Sequence, residues 1–435
     1  MHTRRRDYVL LVCSVIVAAG TLFHYAKIFR PLQVEEWRVQ GRTTGNRSDL
    51  YPRWIGAREF LMHGRDPYSA EVTAEIQRGF YGHVLEAGKP GEWRDQQGFA
   101  YPLFTVFFLA PTITLPFEVV QRAAIVLFLI TCAVVPWLWG FALGIRLRPI
   151  ALIAAFLLCI GNWQVIEALY LQQLTLIVSL LVAAGVAGYV SGRYALSGIL
   201  FAIGMIKPQI GIPVVCWVML LSLSKWSERK KFVFAWVAGV ALLVGASLAM
   251  MPDWLMRWKQ AAEAYAAYVD VNTPILTLLI GKYPGLIVSA LVAVFGAWFC
   301  WRNRRAEPNS DQFRVTLSLV MCCTVVLPPI WHYYEQVLLY PAFLMGVYAL
   351  GNFCLSGEQR LGLWVTICIA GSIWVVSPAL SLIYLLGRLP DWAALKIVLF
   401  PVVLAPVAIL AMSLILAANQ LQEGTKGIEG DAAAT

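Results

Sequence analysis

Charged side chains are concentrated in residues 46–69, which read NRSDLYPRWIGAREFLMHGRDPYS in an otherwise apolar chain. Apolar residues such as Trp54 and Leu61 recur there at helical spacing, which predicts a short helix lying on the membrane. Ser48 or Asp49 would stand at its N-terminus, where a carboxylate is favourable. Asp49 is then either a helix cap or a general base at the boundary between water and lipid, and the spacing leaves both readings open.

A second set of polar residues interrupts the apolar runs. Lys207 lies in FAIGMIKPQIGIP, Gln172 and Gln173 in ALYLQQLTLIV, and His332 in PPIWHYYEQ. Charge at membrane depth is costly and is often retained for function. Taken singly, these residues could also be a snorkelling lysine, a hydrogen-bonded amide pair and an interfacial histidine. Together with Asp49 they suit a lipid-linked phosphate leaving group and an acceptor hydroxyl.

Several kinds of chemistry lack their sequence signature. The chain has no Walker A motif, no G-x-G-x-x-G, no D-x-D, no H-E-x-x-H and no G-x-S-x-G. Its five histidines are scattered, and its nine cysteines fall in or beside apolar runs without a C-x-x-C pair. We therefore predict an activity that uses no metal, no cofactor and no soluble nucleotide.

Composition predicts a polytopic all-α membrane protein. Of 435 residues, 59% are hydrophobic and 14% charged, and apolar runs of about 20 residues recur from end to end. We expect twelve or thirteen spans, the first of them a retained helix rather than a cleaved signal peptide. The run 101–117 is short and flanked by proline, so it either crosses the membrane or re-enters it.

The net charge of +9 reflects topology. Basic residues cluster in short links at 4–6, 146–148, 225–231 and 302–305, which is the pattern of cytoplasmic loops. We therefore expect no nucleic-acid partner. We expect a multi-pass protein of the plasma (inner) membrane, with the segment 46–69 on the extracytoplasmic side.

These patterns give a simple domain plan. We predict a single integral-membrane catalytic domain over 1–418, large extracytoplasmic loops at 30–100 and 253–283, and a disordered tail at 419–435. Aromatic residues at helical spacing in the second loop predict a helix in the headgroup layer. That helix could be a membrane anchor or a functional element.

Five segments of the chain resemble a known family. SDLYPRWIGAREFLMHGRDPYS followed by FAYPLFTVFFLAPTITLPF resembles glycosyltransferase family 87, the GT-C type polyprenol-phosphate-mannose-dependent mannosyltransferases. LQQLTLIVSLL, GMIKPQ and WHYYEQVLLYP resemble its later segments. Leu103 replaces the second proline of the family's Y-P-P element, and Gln172 replaces the glycine of its G-Q element.

The resemblance implies a GT-C-type bundle and transfer of a hexose, in this family mannose, with inversion. The donor would be a polyprenyl-phosphate sugar and the acceptor a lipid-anchored glycan or glycolipid. Asp49 would be the general base. The residues expected to bind the donor's phosphate and sugar are His332, Lys207, Arg53, Arg58, Gln173, Tyr51, Tyr101 and Tyr333.

Two other classes remain open at this point. Breaks at proline within apolar runs also occur at the substrate sites of transporters, so a lipid or glycolipid flippase is the alternative. A non-catalytic scaffold is the third, although it would have no need of Lys207 at membrane depth.

Overall fold

The structure is a computed structural model that describes residues 2–42, 45–46, 48–86, 89, 91–268, 273–330 and 332–433. Helices make up almost all of it, and no strand occurs in those ranges. The α-helices are α1 His2–Phe23, α2 Arg30–Val39, α3 Leu50–His63, α4 Ala70–Tyr81, α5 Thr105–Leu109, α6 Phe117–Ala142, α7 Pro149–Ile160, α8 Trp163–Tyr170, α9 Thr175–Val190, α10 Tyr194–Ile203, α11 Pro208–Ser224, α12 Trp226–Met250, α13 Trp254–Tyr268, α14 Leu276–Ile280, α15 Lys282–Arg302, α16 Asp311–Val326, α17 Tyr340–Asn352, α18 Gly357–Leu385, α19 Asp391–Lys396 and α20 Phe400–Ala433. A π-helix over His24–Phe29 joins α1 to α2.

Six helical stretches in the described ranges are long and apolar enough to cross a membrane. A seventh span results if α7 and α8, which meet at a bend of 68°, are counted as one. Three shorter apolar helices, α9, α10 with its 3-10 extension, and α11, lie among them. The expected all-α polytopic membrane protein is therefore confirmed, while the number of twelve or thirteen spans stays a prediction.

The centre of the bundle is formed by helices that are apolar on all sides. Nearly every residue of α16 from Val315 to Val326 is buried, and α16 packs against α11, α17 and α20. α9 is buried in the same way between α6 and α10. By contrast, α12 and α15 leave most of their apolar side chains exposed, which is typical of helices that face lipid.

Residues 101–117 are too short to span. They contain only the five-residue α5 and a 3-10 turn over Ala110–Thr112, far less than the about 20 residues that a span requires. Arg148, which follows α6, forms an ion pair with Asp7 of α1 at 3.0 Å. Re-entry of the 101–117 segment stays a prediction, while the basic link after α6 lies at the same end of the bundle as the start of α1.

A second ion-pair group joins the other basic links at one end of the bundle. Arg229 lies 2.9 Å from Glu307, and Lys225 pairs with the same carboxylate. This brings the link between α11 and α12 together with the link between α15 and α16.

The first polar loop contains two short helices in the described part of the chain. The helix that starts at α1 continues through α2 to Val39, so the loop begins later than residue 30. Gly64 ends α3 with a left-handed φ of 67°. The Asp66 carboxylate then accepts a hydrogen bond from the Tyr68 amide, and the Ser69 hydroxyl caps α4. The G-R-D-P-Y element is thus the turn that sets α4 against α3.

The second polar loop contains α13, which is anchored on the first. The Arg257 guanidinium lies 2.5 Å from the Asp66 carboxylate, and the Trp258 indole donates to the carbonyl of Ala100. These contacts fasten α13 to the first polar loop. Residues 269–272 of this loop lie outside the described residues, and the domain plan as a whole stays a prediction.

The last helix extends through most of the segment for which we predicted disorder. α20 continues to Ala433, and residues 434–435 lie outside the described part of the chain. The disorder of this tail stays a prediction.

The packing of α3 generates the first testable prediction. A Cβ atom on Gly56 would come within 2.3 Å of the buried Phe99 ring, whereas one on Gly371 in α18 would meet nothing within 4 Å. We expect Gly56→Ala to lower the free energy of unfolding by about 1–3 kcal/mol. Gly371→Ala, the matched helical control, should be neutral or slightly stabilising. Thermal unfolding of both variants in detergent measures the difference, and equal stability would contradict the described packing of α3.

Candidate active site

Asp49 lies at the N-terminus of α3 but does not cap the helix with its side chain. Its carboxylate accepts a hydrogen bond from the Gln173 amide, and its backbone N–H donates to the carbonyl of Leu171 at 2.7 Å. The Ser48 hydroxyl instead accepts from the Leu50 amide at 3.2 Å. The neighbouring serine therefore takes the local capping contact, and the carboxylate points toward the bundle.

The turn that carries Gln173 has an unusual backbone. Gln172 adopts a left-handed φ of 54°, a conformation that favours glycine. Its buried side chain accepts from the Ser48 hydroxyl and donates to the carbonyl of Gln121 at 2.7 Å. These bonds stabilise the turn and fasten it to the residue beside Asp49. The two glutamines of the expected pair, Gln172 and Gln173, thus form hydrogen bonds with Ser48 and Asp49 of the first polar loop.

Two cavities meet beside α3. One, the Asp49 cavity, has a volume of about 270 Å³ and is lined by Asp49. The other, the Lys207 cavity, has a volume of about 320 Å³ and is lined by Lys207. The residues that line both are Arg53, Ala100, Tyr265, His332 and Tyr334.

Arg53 stands between the two cavities because it follows Asp49 by one helical turn on the same face of α3. Its guanidinium lies over the Tyr101 ring, 4.7 Å from the centroid. No acidic side chain in the described part of the chain forms an ion pair with it. Its donors are therefore available to an anion in either cavity.

The positive charge of Lys207 is offset by a buried carboxylate of the protein, that of Glu335. Its ammonium lies 3.1 Å from the Glu335 carboxylate and donates to the Thr175 hydroxyl at 2.6 Å. The side chains of the pair are only 5% and 7% exposed. Because each charge offsets the other, Lys207 adds less net positive charge to its cavity than Arg53 does.

His332 is held as a neutral ring. Its Nε2 lies 2.8 Å from the Tyr265 hydroxyl, and the ring stacks on Tyr334 at 4.9 Å. Burial lowers the pKa of His332 to about 4; the charge of Glu335 opposes this shift, and the positive charges of Lys207 and Arg53 add to it. Near pH 7 the imidazole is thus a neutral hydrogen-bonding group.

Of the other residues that we expected at the site, two line a cavity and two do not. Tyr101 lines the Lys207 cavity and Tyr333 the Asp49 cavity. Tyr51 and Arg58 are absent from the linings of both cavities among the described residues. Tyr51 packs on Phe117 instead, at a centroid distance of 4.9 Å. Tyr51 and Arg58 follow Asp49 by two and nine residues, which places both on roughly the opposite side of α3. Their side chains therefore point away from the cavities.

Two acidic residues of the Asp49 cavity were not singled out from the sequence. Glu167 in α8 is buried and accepts from the hydroxyls of Tyr25 and Tyr333. An acid inside the apolar run WQVIEALYL could have been found by the rule that singled out Lys207. Asp95 has no such signal, because it is one of many acids in the first polar loop.

The carboxyl of Asp95 is well ordered by its neighbours. It accepts from the Gln97 amide nitrogen at 2.9 Å and from the Gln97 side chain at 2.6 Å. The Tyr268 hydroxyl also donates to it. Burial raises the pKa of Asp95, while the bonds from Gln97 and the charge of Arg53 oppose this rise.

Comparison with known proteins decides the class. The model of glycosyltransferase family 87 matches residues 99–329, which is more than half of the chain. The chain belongs to glycosyltransferase family 87. It is therefore a membrane glycosyltransferase, which favours the transferase over the flippase and the scaffold. No curated protein matched the chain in a separate comparison.

The family 87 match covers part of the site. Glu167, Gln173 and Lys207 lie inside it, whereas Asp49 and His332 lie outside it. The part of the chain that the structure describes has no group of three or more His, Cys, Asp or Glu side chains that could hold a metal ion. The expectation of a metal-free reaction stays a prediction.

The buried ion pair generates the second prediction. Lys207→Met leaves the Glu335 carboxylate buried without its cation, which should cost about 3–5 kcal/mol of stability. Lys207→Met combined with Glu335→Gln removes both charges and should recover most of that loss. Thermal unfolding of the single and double variants tests this, and a double variant less stable than Lys207→Met would contradict it.

Proposed function

We propose that this family 87 protein transfers a hexose, with mannose as the expected sugar, from a polyprenyl-phosphate donor to a lipid-linked acceptor hydroxyl. Asp49 acts as the general base and the anomeric centre inverts. The observation that carries the proposal is the position of Arg53. This cation has no acidic partner among the described residues, and it lies one helical turn from Asp49, where the two cavities meet.

The two cavities suit the two substrates. The Lys207 cavity contains Arg53, Lys207 and His332, which can bind the donor's phosphate by charge and hydrogen bonding. Its wall also includes Trp258 and Pro328, and such apolar surface suits the start of a prenyl chain. The Asp49 cavity is then left for the acceptor.

The reaction is a single displacement. The acceptor oxygen attacks the anomeric carbon as its proton passes to the Asp49 carboxylate. The bond between the anomeric carbon and the phosphate oxygen breaks, and the phosphate leaves with the electron pair. Arg53 stabilises the negative charge that develops on the leaving group. Asp49 lines one cavity and Lys207 the other, with Arg53 lining both, so the acceptor would approach opposite the leaving group, as inversion requires.

The polar contacts of Asp49 support its role as a base. Gln173 and the carbonyl of Leu171 fix its position, so that little reorganisation is needed when the acceptor binds. Tyr101 and Tyr333 would contact the sugar, and Gln173 acts through Asp49.

The orientation follows from the basic links. They lie together at one end of the bundle, joined by the ion pairs of Arg148 and Arg229. The positive-inside rule assigns that end to the cytoplasm. The cavities, which lie at the other ends of α11 and α16, would then face the extracytoplasmic side of the plasma membrane.

The third prediction tests the base. Membranes with the wild-type protein receive radiolabelled polyprenyl-phosphate mannose and native lipid extract. We expect Asp49→Asn to lower label transfer about 10²- to 10⁴-fold, the usual contribution of a general base, while donor binding is retained. Asp391→Asn, at an exposed residue that lines neither cavity, is the matched control. Equal transfer by wild type and Asp49→Asn would remove Asp49 from the mechanism, and flipping of the donor without transfer would favour the transporter.

The fourth prediction tests the cation. Arg53→Gln should lower kcat/KM about 10²- to 10³-fold, because it removes the charge that stabilises the leaving phosphate. Arg53→Lys keeps the positive charge but lacks the planar guanidinium with its paired donors, and it should recover part of the lost kcat/KM. If both variants retain wild-type kcat/KM, Arg53 does not contact the phosphate.

A further inference from the structure

The Asp49 cavity has a second polar region, formed by Asp95 and Gln97, that is separate from the proposed base Asp49. Asp95 and Gln97 line this cavity, and neither appears in the lining of the Lys207 cavity among the described residues. Tyr268 donates to the Asp95 carboxyl, and Tyr81 donates to the Asp95 carbonyl at 2.6 Å. The carboxyl is therefore held in the cavity wall by both polar loops.

Aromatic rings lie around Asp95 and Gln97 in the Asp49 cavity. Trp93 stacks on Tyr81 at a centroid distance of 5.7 Å, and Trp37 meets Trp93 edge to face at 5.4 Å. All three residues line the Asp49 cavity. Flat apolar rings beside a carboxyl, an amide and a phenol suit a ligand with C–H faces and several hydroxyl groups. That combination is typical of a sugar ring.

The charge of this region argues against the donor as its ligand. An ionised carboxylate repels a phosphate, because like charges repel. Among the described residues, the lining of the Asp49 cavity has three carboxyl groups, those of Asp49, Asp95 and Glu167, against two guanidinium groups, those of Arg30 and Arg53. The described lining of the Lys207 cavity has two cations, Arg53 and Lys207, against the single carboxyl of Glu335, so a phosphate is favoured there. The molecule beside Asp95 is therefore the acceptor, and the volume of about 270 Å³ suits a headgroup rather than a whole lipid.

We propose that Asp95, Tyr268 and Trp93 form a subsite for a sugar ring of the acceptor, and that Asp95 determines acceptor specificity by binding a hydroxyl beside the attacking one. This inference rests on the proposed function. It assigns Asp95 a role distinct from that of Asp49, because Asp95 binds the acceptor and takes no proton. The acceptor is then a glycosylated lipid and not a simple lipid alcohol.

The fifth prediction compares two short acceptors, octyl α-mannoside and 1-O-octylglycerol, in the presence of labelled donor. Each is measured as an acceptor and as a competitor of transfer into native lipid. We expect Asp95→Asn to raise the concentration of octyl mannoside needed for half-maximal effect about 10- to 100-fold, the loss of one hydrogen bond to a charged group. The KM for the donor and the effect of octylglycerol should stay unchanged.

Two further variants separate binding from loop folding. Tyr268→Phe removes only the hydroxyl that contacts Asp95, and we expect a smaller change in the same direction. Glu92→Gln alters the same loop outside both cavities and should leave all values unchanged.

The outcomes distinguish this inference from the proposed function. If wild type transfers no label into native lipid, the proposed function itself fails. If transfer occurs and octyl mannoside has no effect, or if Asp95→Asn changes both acceptors equally, the sugar subsite is overturned.

Discussion

The hydrogen bond from Gln173 to the Asp49 carboxylate is the contact on which the site depends. It connects the first polar loop to the start of α9, deep in the bundle, and so places α3 against the membrane helices. Arg53 then reaches the meeting point of the two cavities because it lies one turn further along α3. Together with the bond from the Asp49 amide to Leu171 and the side-chain bonds of Gln172, it fixes the carboxylate and the cation relative to Lys207 and His332.

The conformation of Gln172 shows how the chain maintains this contact. Its left-handed φ costs roughly 1–2 kcal/mol for a residue with a Cβ, and the pattern that the segment resembles has glycine here. The side-chain bonds to Ser48 and to the carbonyl of Gln121 offset that cost. Gln97, the other non-glycine residue with positive φ in the described ranges, holds the Asp95 carboxyl of the same cavity. Unfavourable backbone conformations therefore occur where two carboxyl groups must be held in place.

The sequence predicts the class of fold and the position of Asp49, because both depend on local pattern. Apolar runs determine the membrane helices, and the polar segment before α3 determines the helix N-terminus. The partners of each charge depend on long-range packing and could not be predicted. Glu335, which pairs with Lys207, is one position in an apolar loop, and Asp95 resembles every other acid in its loop. The neutral state of His332 follows from burial and from nearby cations, neither of which can be inferred from spacing.

The central claim is that base and leaving group act from opposite sides of one sugar, so that transfer is a single displacement. The most direct test is the anomeric configuration of the transferred sugar, determined by NMR on the purified product and compared with that of the donor. Our account predicts the opposite configuration in product and donor. The same configuration in both would contradict it, since retention requires two displacements and a second nucleophile.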